Sequence, residues 1–216
     1  MELKFKGVTL QHLDTILQLA KQHDILPSLL ITQLHFEAMW GTSEVARLNN
    51  NWSGMTWTGN PNRPSGVIAQ RGSARPANEG GYYFKYDTVQ DFLTDWVYLL
   101  RAGGSYKVTG VKDFDTAVKG LFKVGGAKYD YAASGYDHYI KGMRARRQAI
   151  NQANNGALDE LDKGEYKTMT ITAKTVLDVA RGLIGAIKHG SVHKKLIDDY
   201  NRVLPRPVGY VVTYDD

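Results

Sequence analysis

The run Gln33-Leu-His-Phe-Glu-Ala-Met-Trp-Gly-Thr-Ser-Glu-Val-Ala-Arg-Leu-Asn-Asn-Asn-Trp-Ser-Gly54 constrains this chain most, because it sets one carboxylate, Glu37, in an otherwise apolar helical pattern that breaks at Gly41. Just ahead, Pro27-Ser28-Leu-Leu-Ile-Thr-Gln-Leu offers Ser28 as a helix cap and puts Leu30, Ile31, Leu34 and Ala38 on one core-facing stripe. Glu37 falls one turn after Gln33 and one turn before the break. It therefore lies at the C-terminal end of the helix, where the negative pole of the helix dipole disfavours ionisation. Burial at that place would raise its pKa toward what a general acid needs. Spacing alone also permits the plainer reading, a surface Glu on a half-exposed helix.

The rest of the chain reads as mostly helical. Thr9 opens a helix with Leu10, Leu13, Ile16, Leu17 and Ala20 on one side, and Thr42 or Ser43 is placed to cap a short helix after Gly41. From 50 to about 86 the helical period disappears among Asn, Gly, Pro, Arg and aromatic residues. Loops and a short antiparallel hairpin are expected there, with Gly66-Val-Ile-Ala-Gln70 and Tyr82-Tyr-Phe-Lys-Tyr86 as the strands. Thr88 then caps an amphipathic helix through Val89, Phe92, Leu93, Trp96, Leu99 and Leu100, and shorter helical patterns recur near 113–123 and 136–152. The expected fold class is mainly α (α+β): a helical lobe with a small inserted β lobe and a groove between them.

At 216 residues the chain accommodates one domain with a sizeable core and a small addition, and 43% hydrophobic with 23% charged residues is ordinary globular usage. Residues 1–152 form the expected catalytic domain. The Asn- and charge-rich segment 153–168 reads as a linker, and 169–216 as a helical tail too short for a core of its own. No apolar run reaches the roughly 18 residues of a membrane span, and Met1-Glu-Leu-Lys-Phe-Lys-Gly7 lacks the layout of a signal peptide. Residues 1–155 carry 18 Lys and Arg against 13 Asp and Glu, and 156–216 carry 9 against 9, so the net charge of +5 belongs to the first part. A mildly basic domain suits an anionic cell wall. Nucleic acid is not expected as a partner, since only Arg144, Arg146 and Arg147 cluster and no nucleic-acid motif occurs.

The pattern Gln-(x)3-Glu-(x)2-Trp-Gly-Thr-Ser-(x)2-Ala-(x)3-Asn-Asn-Trp-Ser-Gly resembles the signature of the bacterial and phage glucosaminidases of glycoside hydrolase family 73, which cut peptidoglycan. Phe84-Lys-Tyr-Asp-Thr88 and Tyr131-Ala-Ala-Ser-Gly-Tyr136 follow in the order the family has them, so the resemblance spans about residues 25–150. It implies a lysozyme-like helical lobe, hydrolysis of the β-1,4 bond after N-acetylglucosamine, and Glu37 as general acid. It implies no cofactor, and a monomeric fragment. Without an export signal, such an enzyme is expected to be made in the host cytoplasm and to act on the wall after release, as a bacteriophage endolysin does. An N-acetylmuramidase or lytic transglycosylase is the nearest alternative, and a wall-binding module without catalysis is an alternative of another class. Ile197-Asp-Asp-Tyr-Asn201 and Gly209-Tyr-Val-Val-Thr-Tyr-Asp-Asp216 resemble the lead-in to a cysteine peptidase or amidase domain of the CHAP kind, so the native chain is expected to continue.

Aromatic residues gather around these motifs, and aromatic faces stack on the apolar faces of sugar rings. Trp57, Tyr131 and Tyr136 are candidates to line the groove. Trp40 and Trp52 also count among the substrate-side candidates, with structural work near the site as their expected part. For a second carboxylate the family's β lobe points to Glu79, the only acid between Glu44 and Asp87. Asp87 holds a motif position, although an Asp just before Thr88 also suits ordering the helix start. Two carboxylates, or one carboxylate assisted by the substrate's 2-acetamido group, are both compatible with one firm acid. No metal site is expected: His35 and Glu37 do not form His-Glu-(x)2-His, and His189 with His193 lacks a third ligand.

Overall fold

The computed structural model describes residues 1–164, so what the sequence suggests for the tail 169–216 lies outside the described residues. Within 1–164 a helical lobe encloses one central helix, α2, and carries a two-stranded hairpin on one side. The chain opens with β1 (Lys4–Phe5) and β2 (Val8–Thr9), paired antiparallel with Lys4 opposite Thr9. Helix α1 (Leu13–Gln22) starts only after His12, whose left-handed backbone turns the chain out of β2. Thr9 thus ends a strand instead of opening a helix. The helix still buries Leu13, Ile16, Leu17 and Ala20, as their spacing requires.

Helix α2 (Pro27–Ala38) is apolar enough to be enclosed on every side, and ten of its residues, Pro27 to His35 and Ala38, are buried. The expected single stripe is therefore a fully wrapped helix, packed by α1, by α5 (Phe114–Lys119), by α6 (Tyr136–Ala153) and by α7 (Ala157–Asp162). Its start is also built differently from the expected Ser28 cap. Pro27 takes the first helical position, where its missing N–H costs nothing, and no side chain at Leu26 caps the end. Instead Ser28 donates its backbone N–H to Asp162 Oδ1 at 2.9 Å, and Arg147 bridges Ser28 Oγ and Asp162 Oδ2. A carboxylate from α7 thus meets the positive end of α2. Residues 157–162, read from composition as linker, are a helix with Leu158 and Leu161 fully buried against this lobe. Asn, Asp and Gly there build the α6–α7 turn, in which the Asn151 side chain accepts the Leu158 N–H.

After α2 come α3 (Glu44–Asn49), capped by Ser43, then β3 (Ala69–Ala74), β4 (Tyr82–Tyr86) and α4 (Val89–Leu99). Thr88 and Asp91 form the reciprocal capping box that starts α4. The first strand begins three residues later than its sequence suggests, because Arg63 to Val67 close a turn through Gly66 N–H to Arg63 O and Arg63 N–H to Val67 O. Three consecutive amides fasten the hairpin to the helical lobe. Asn49 bonds Ser73, Asn50 donates to the carbonyls of Tyr86 and Asp87, and Asn51 donates to the carbonyls of Met55 and Phe84. Where α2 meets α6, Gly142 leaves room for the Phe36 ring, which would lie 2.6 Å from any Cβ there. A 3-10 turn at Lys123–Gly125 completes the described elements.

Two stability measurements follow. Asp162→Ala strips a partner from both Arg147 and the Ser28 N–H, so we expect unfolding free energy to fall by about 1–3 kcal/mol; urea denaturation at unchanged m reads it. His35 is buried between Phe5 and Trp40, and burial together with the Arg146 charge pushes its pKa down to about 4. Its neutral ring, facing Arg146 through Nδ1, contributes stability that is complete above its unfolded pKa near 6.5 and is lost as pH falls toward about 4. The wild-type Tm should drop more steeply across that window than that of His35→Gln. Parallel curves would assign the acid sensitivity to other groups.

Candidate functional site

Glu37 occupies the last turn of α2, and the residues after it leave the helix sharply. Met39 and Trp40 adopt left-handed backbone, with Gly41 following at φ +87°. The break turns Trp40 back under the helix, where its ring is buried and its Nε1 donates to the Ile31 carbonyl at 2.9 Å. Trp52 is buried as well and packs on Gly41, where no Cβ fits. Both tryptophans hold the turn that presents Glu37, and neither ring face is open to a sugar.

The Glu37 side chain keeps open surface, while its carboxyl stands among protein atoms that solvate it poorly, and this desolvation raises its pKa. One hydrogen bond opposes the rise: Tyr139 donates its hydroxyl to Glu37 Oε1 at 2.7 Å. No cation pairs with this carboxylate among the described residues. Tyr139 comes from α6, is itself buried, and is set by edge contacts with Phe36 at 5.2 Å and Phe122 at 5.3 Å. Tyr131 stands behind it, with ring centroids 6.1 Å apart. Its ring is half-buried and its hydroxyl lies inside, accepting from Trp96 Nε1 at 3.2 Å. Burial and the nearby Glu37 charge hold the phenols of Tyr131 and Tyr139 protonated far above neutral pH. Both tyrosines therefore act as neutral hydrogen-bonding groups beside the acid.

The other candidates are distributed around this centre. Tyr136 begins α6, half-buried against Phe122 at 5.9 Å. Trp57 lies half-buried on the hairpin, edge-on to Phe84 at 5.1 Å, with its N–H donated to the Tyr82 carbonyl. Glu79 is at the hairpin tip, exposed and ion-paired with Arg75 at 2.5 Å. Asp87 is exposed and accepts from Gln70 Nε2 at 3.1 Å. No group of three potential metal ligands occurs among the described residues.

Sequence reasoning gave no role to three residues that matter here. Tyr139 carried a signal in its place on the Tyr136, Tyr139, Ile140, Met143 stripe, although nothing in that spacing says its hydroxyl meets Glu37. Gln33, one turn before Glu37, is fully buried. Asp95, one turn after the capping Asp91 on an apolar helix, is buried and saturated: Arg63 Nε and Ser65 Oγ donate to it at 2.7 Å and the Tyr86 hydroxyl at 2.8 Å. It ties the loop before β3 to α4 and is closed off by its own partners.

Solved structures similar to the chain include the catalytic domain of the autolysin Auto from Listeria monocytogenes, at 20% identity over 66% of this chain and 81% of that one, TM-score 0.44. A type VI secretion system effector–immunity complex from Pseudomonas protegens is similar at 18% identity over 63% and 94%, TM-score 0.32. An N-acetylmuramoyl-L-alanine amidase from Staphylococcus aureus is similar at 16% identity over 77% and 54%, TM-score 0.39. No curated protein matches the chain. Residues 13–183, well over half of the sequence, match the family model described as mannosyl-glycoprotein endo-β-N-acetylglucosaminidase, and the chain belongs to this Glucosaminidase family.

Proposed function

We propose that the protein hydrolyses the glycan strands of bacterial peptidoglycan, cleaving the β-1,4 bond after N-acetylglucosamine with Glu37 as the general acid. The observation that carries this reading is the Glu37 carboxyl itself: reachable from solvent, poorly solvated, free of any cationic partner among the described residues, and held by one phenol. Glycosidic cleavage needs a proton delivered to the leaving oxygen as the bond breaks, and an acid with a raised pKa holds that proton near neutral pH. Family membership and the basic first part of the chain support a wall glycan as substrate.

In this mechanism Glu37 protonates the leaving sugar oxygen, and Tyr139 stabilises the carboxylate that results by donating to Oε1. Tyr131 lends a neutral polar edge beside the acid, and Trp57 and Tyr136 offer aromatic surface for sugar rings. Charge developing at the anomeric carbon is met either by Glu79, once released from Arg75 at the hairpin tip, or by the substrate's own acetamido oxygen.

Glu37→Gln keeps the shape and removes the proton, so activity on purified peptidoglycan should fall by at least about 10³-fold. Because desolvation raises the folded pKa of Glu37 above its unfolded value, its titration costs stability at pH above the unfolded pKa; the variant lacks that cost and should be no less stable than wild type at neutral pH. Retention of more than roughly a tenth of wild-type activity would reject Glu37 as the acid. In the wild type, kcat/KM should decline as pH rises through the raised Glu37 pKa, since only the protonated form donates. Glu79→Gln should lose less than Glu37→Gln. Mass spectrometry of released fragments identifies the bond: reducing-end N-acetylglucosamine supports the proposal, while reducing-end or anhydro N-acetylmuramic acid would make the enzyme a muramidase or lytic transglycosylase.

Trp57 supplies a separate check on the substrate side. Its ring is half-buried against Phe84 alone among its aromatic neighbours, so Trp57→Ala should weaken hydrolysis by roughly one to three orders of magnitude through lost positioning, with a small change in Tm. A large drop in Tm with parallel loss of activity would place Trp57 in the core instead.

A further inference from the structure

Gln33 is fully buried, and among the described residues neither its amide nitrogen nor its amide oxygen has a hydrogen-bond partner. An unpaired buried amide is costly, and native structures keep such groups rarely. This one lies four residues before Glu37, so both side chains leave α2 on the same face. That face meets α6 at Tyr139, which donates to Glu37 Oε1; the Gln33 amide stands beside the phenol, close enough to draw its pKa down against burial but short of a formed hydrogen bond.

A tyrosine hydroxyl has one proton to donate and lone pairs to accept with. If its oxygen receives an N–H from Gln33, its own proton is committed to Glu37. Hydrogen bonds in such a chain also strengthen one another. We propose that Gln33 is a positioning residue for the acid: its amide N–H turns toward the Tyr139 oxygen as Glu37 ionises, so that the phenol donates to Oε1 and leaves Oε2 to carry the proton toward the substrate. The amide is unpaired while Glu37 is protonated and gains its partner when Glu37 gives the proton up. The chain Gln33, Tyr139, Glu37 therefore favours proton release at the step that needs it, and this role rests on Glu37 being the general acid.

The groups that face Glu37 are few. Tyr139 reaches it from α6 and Tyr131 from the loop ahead of α6, and both stay neutral. Of the charged groups on elements packed against α2, Arg146 faces His35, Arg147 binds Asp159 and Asp162 at the helix start, and Asp115 of α5 binds Arg144. None of these, nor Asp14 and Lys21 of α1, Lys119 of α5, Asp137, His138 and Lys141 of α6 or Glu160 of α7, forms an ion pair with Glu37 among the described residues, and Tyr139 is its hydrogen-bond partner there.

The test measures the Glu37 carboxyl directly, by its carbon NMR titration in the whole chain, together with the pH profile of kcat/KM. Gln33→Met, which keeps the volume and removes both polar atoms, should move the Glu37 titration and the high-pH limb of the profile upward together by about half a unit or more, as expected for loss of a cooperative hydrogen bond. Its Tm should be unchanged or raised, because an unpaired amide has gone. Gln33→Asn, a shorter amide, should shift both readouts in the same direction and serves if the Met variant does not fold. In a Tyr139→Phe background neither substitution should shift the titration further. An unmoved titration in Gln33→Met, or a shift that persists in Tyr139→Phe, overturns the proposal. The titration is read without substrate, so its outcome is distinct from that of Glu37→Gln: loss of the acid assignment leaves the Gln33 to Glu37 linkage measurable by itself.

Discussion

Enclosure of α2 on all sides is the constraint on which the rest of the structure depends. A helix wrapped by four others has little water along most of its length, so its polar groups depend on neighbouring elements for their partners. At its start the answer comes from the far end of the described chain, where Asp162 takes the Ser28 N–H and Arg147 closes the triangle. Midway, His35 is kept neutral against Arg146. At its end Glu37 is answered by Tyr139 alone. Thr32 Oγ1 and the Gln33 amide, also midway, find no partner among the described residues, so satisfaction is complete only at the N-terminus, and Glu37 stands where the helix reaches solvent.

Asp95 shows why an acid set among apolar residues of a helix does not by itself mark a catalytic group. Glu37 lies between Phe36 and Ala38, and Asp95 lies beside Trp96 on a helix with Phe92, Leu93 and Val97. What differs is supplied by residues distant in sequence: Arg63, Ser65 and Tyr86 converge on Asp95 and use its oxygens, whereas Glu37 receives one phenolic proton and keeps an open edge. A saturated carboxylate is an anchor. One that is accessible, unsaturated and poorly solvated is free to exchange a proton with a ligand.

This contrast also explains which parts of the molecule were legible in the sequence. The helices α1, α4 and α6 announced themselves through apolar spacing, the Thr88 capping box through its residue types, and β4 through its aromatic run, because these are local effects that act within a turn or two. The place of Glu37 in the last turn of α2, just before the chain breaks at Gly41, was legible for the same reason, since both features are local. The boundaries that failed were those set by tertiary partners. Ser28 reads as a cap until Asp162 is known to face it, and 157–162 reads as linker until Leu158 and Leu161 are seen buried. Composition could not show that polar residues around Asn151 build a turn rather than a spacer. The bond from Tyr139 to Glu37 was not legible, because the two residues are over a hundred positions apart in the chain.

The hairpin is governed by the same economy of partners. Asn49, Asn50 and Asn51 lie at the end of α3 and just beyond it, and their amides reach backbone and side-chain groups of β3, β4 and the loop between α3 and β3. Side-chain amides that bond main-chain carbonyls fix where a strand lies without specifying what its outward residues are. The framework can therefore keep β3 and β4 in place relative to α2 while residues such as Trp57 and Glu79 vary with the ligand. It follows that the division of labour in this fold is spatial. Groups whose partners are main-chain atoms hold the hairpin, and groups with exposed or half-exposed side chains on it remain available for substrate. In the proposed mechanism Glu79 serves as a second carboxyl only when a bound glycan displaces Arg75, a competition between one exposed ion pair of small net worth and the charge that develops on the sugar.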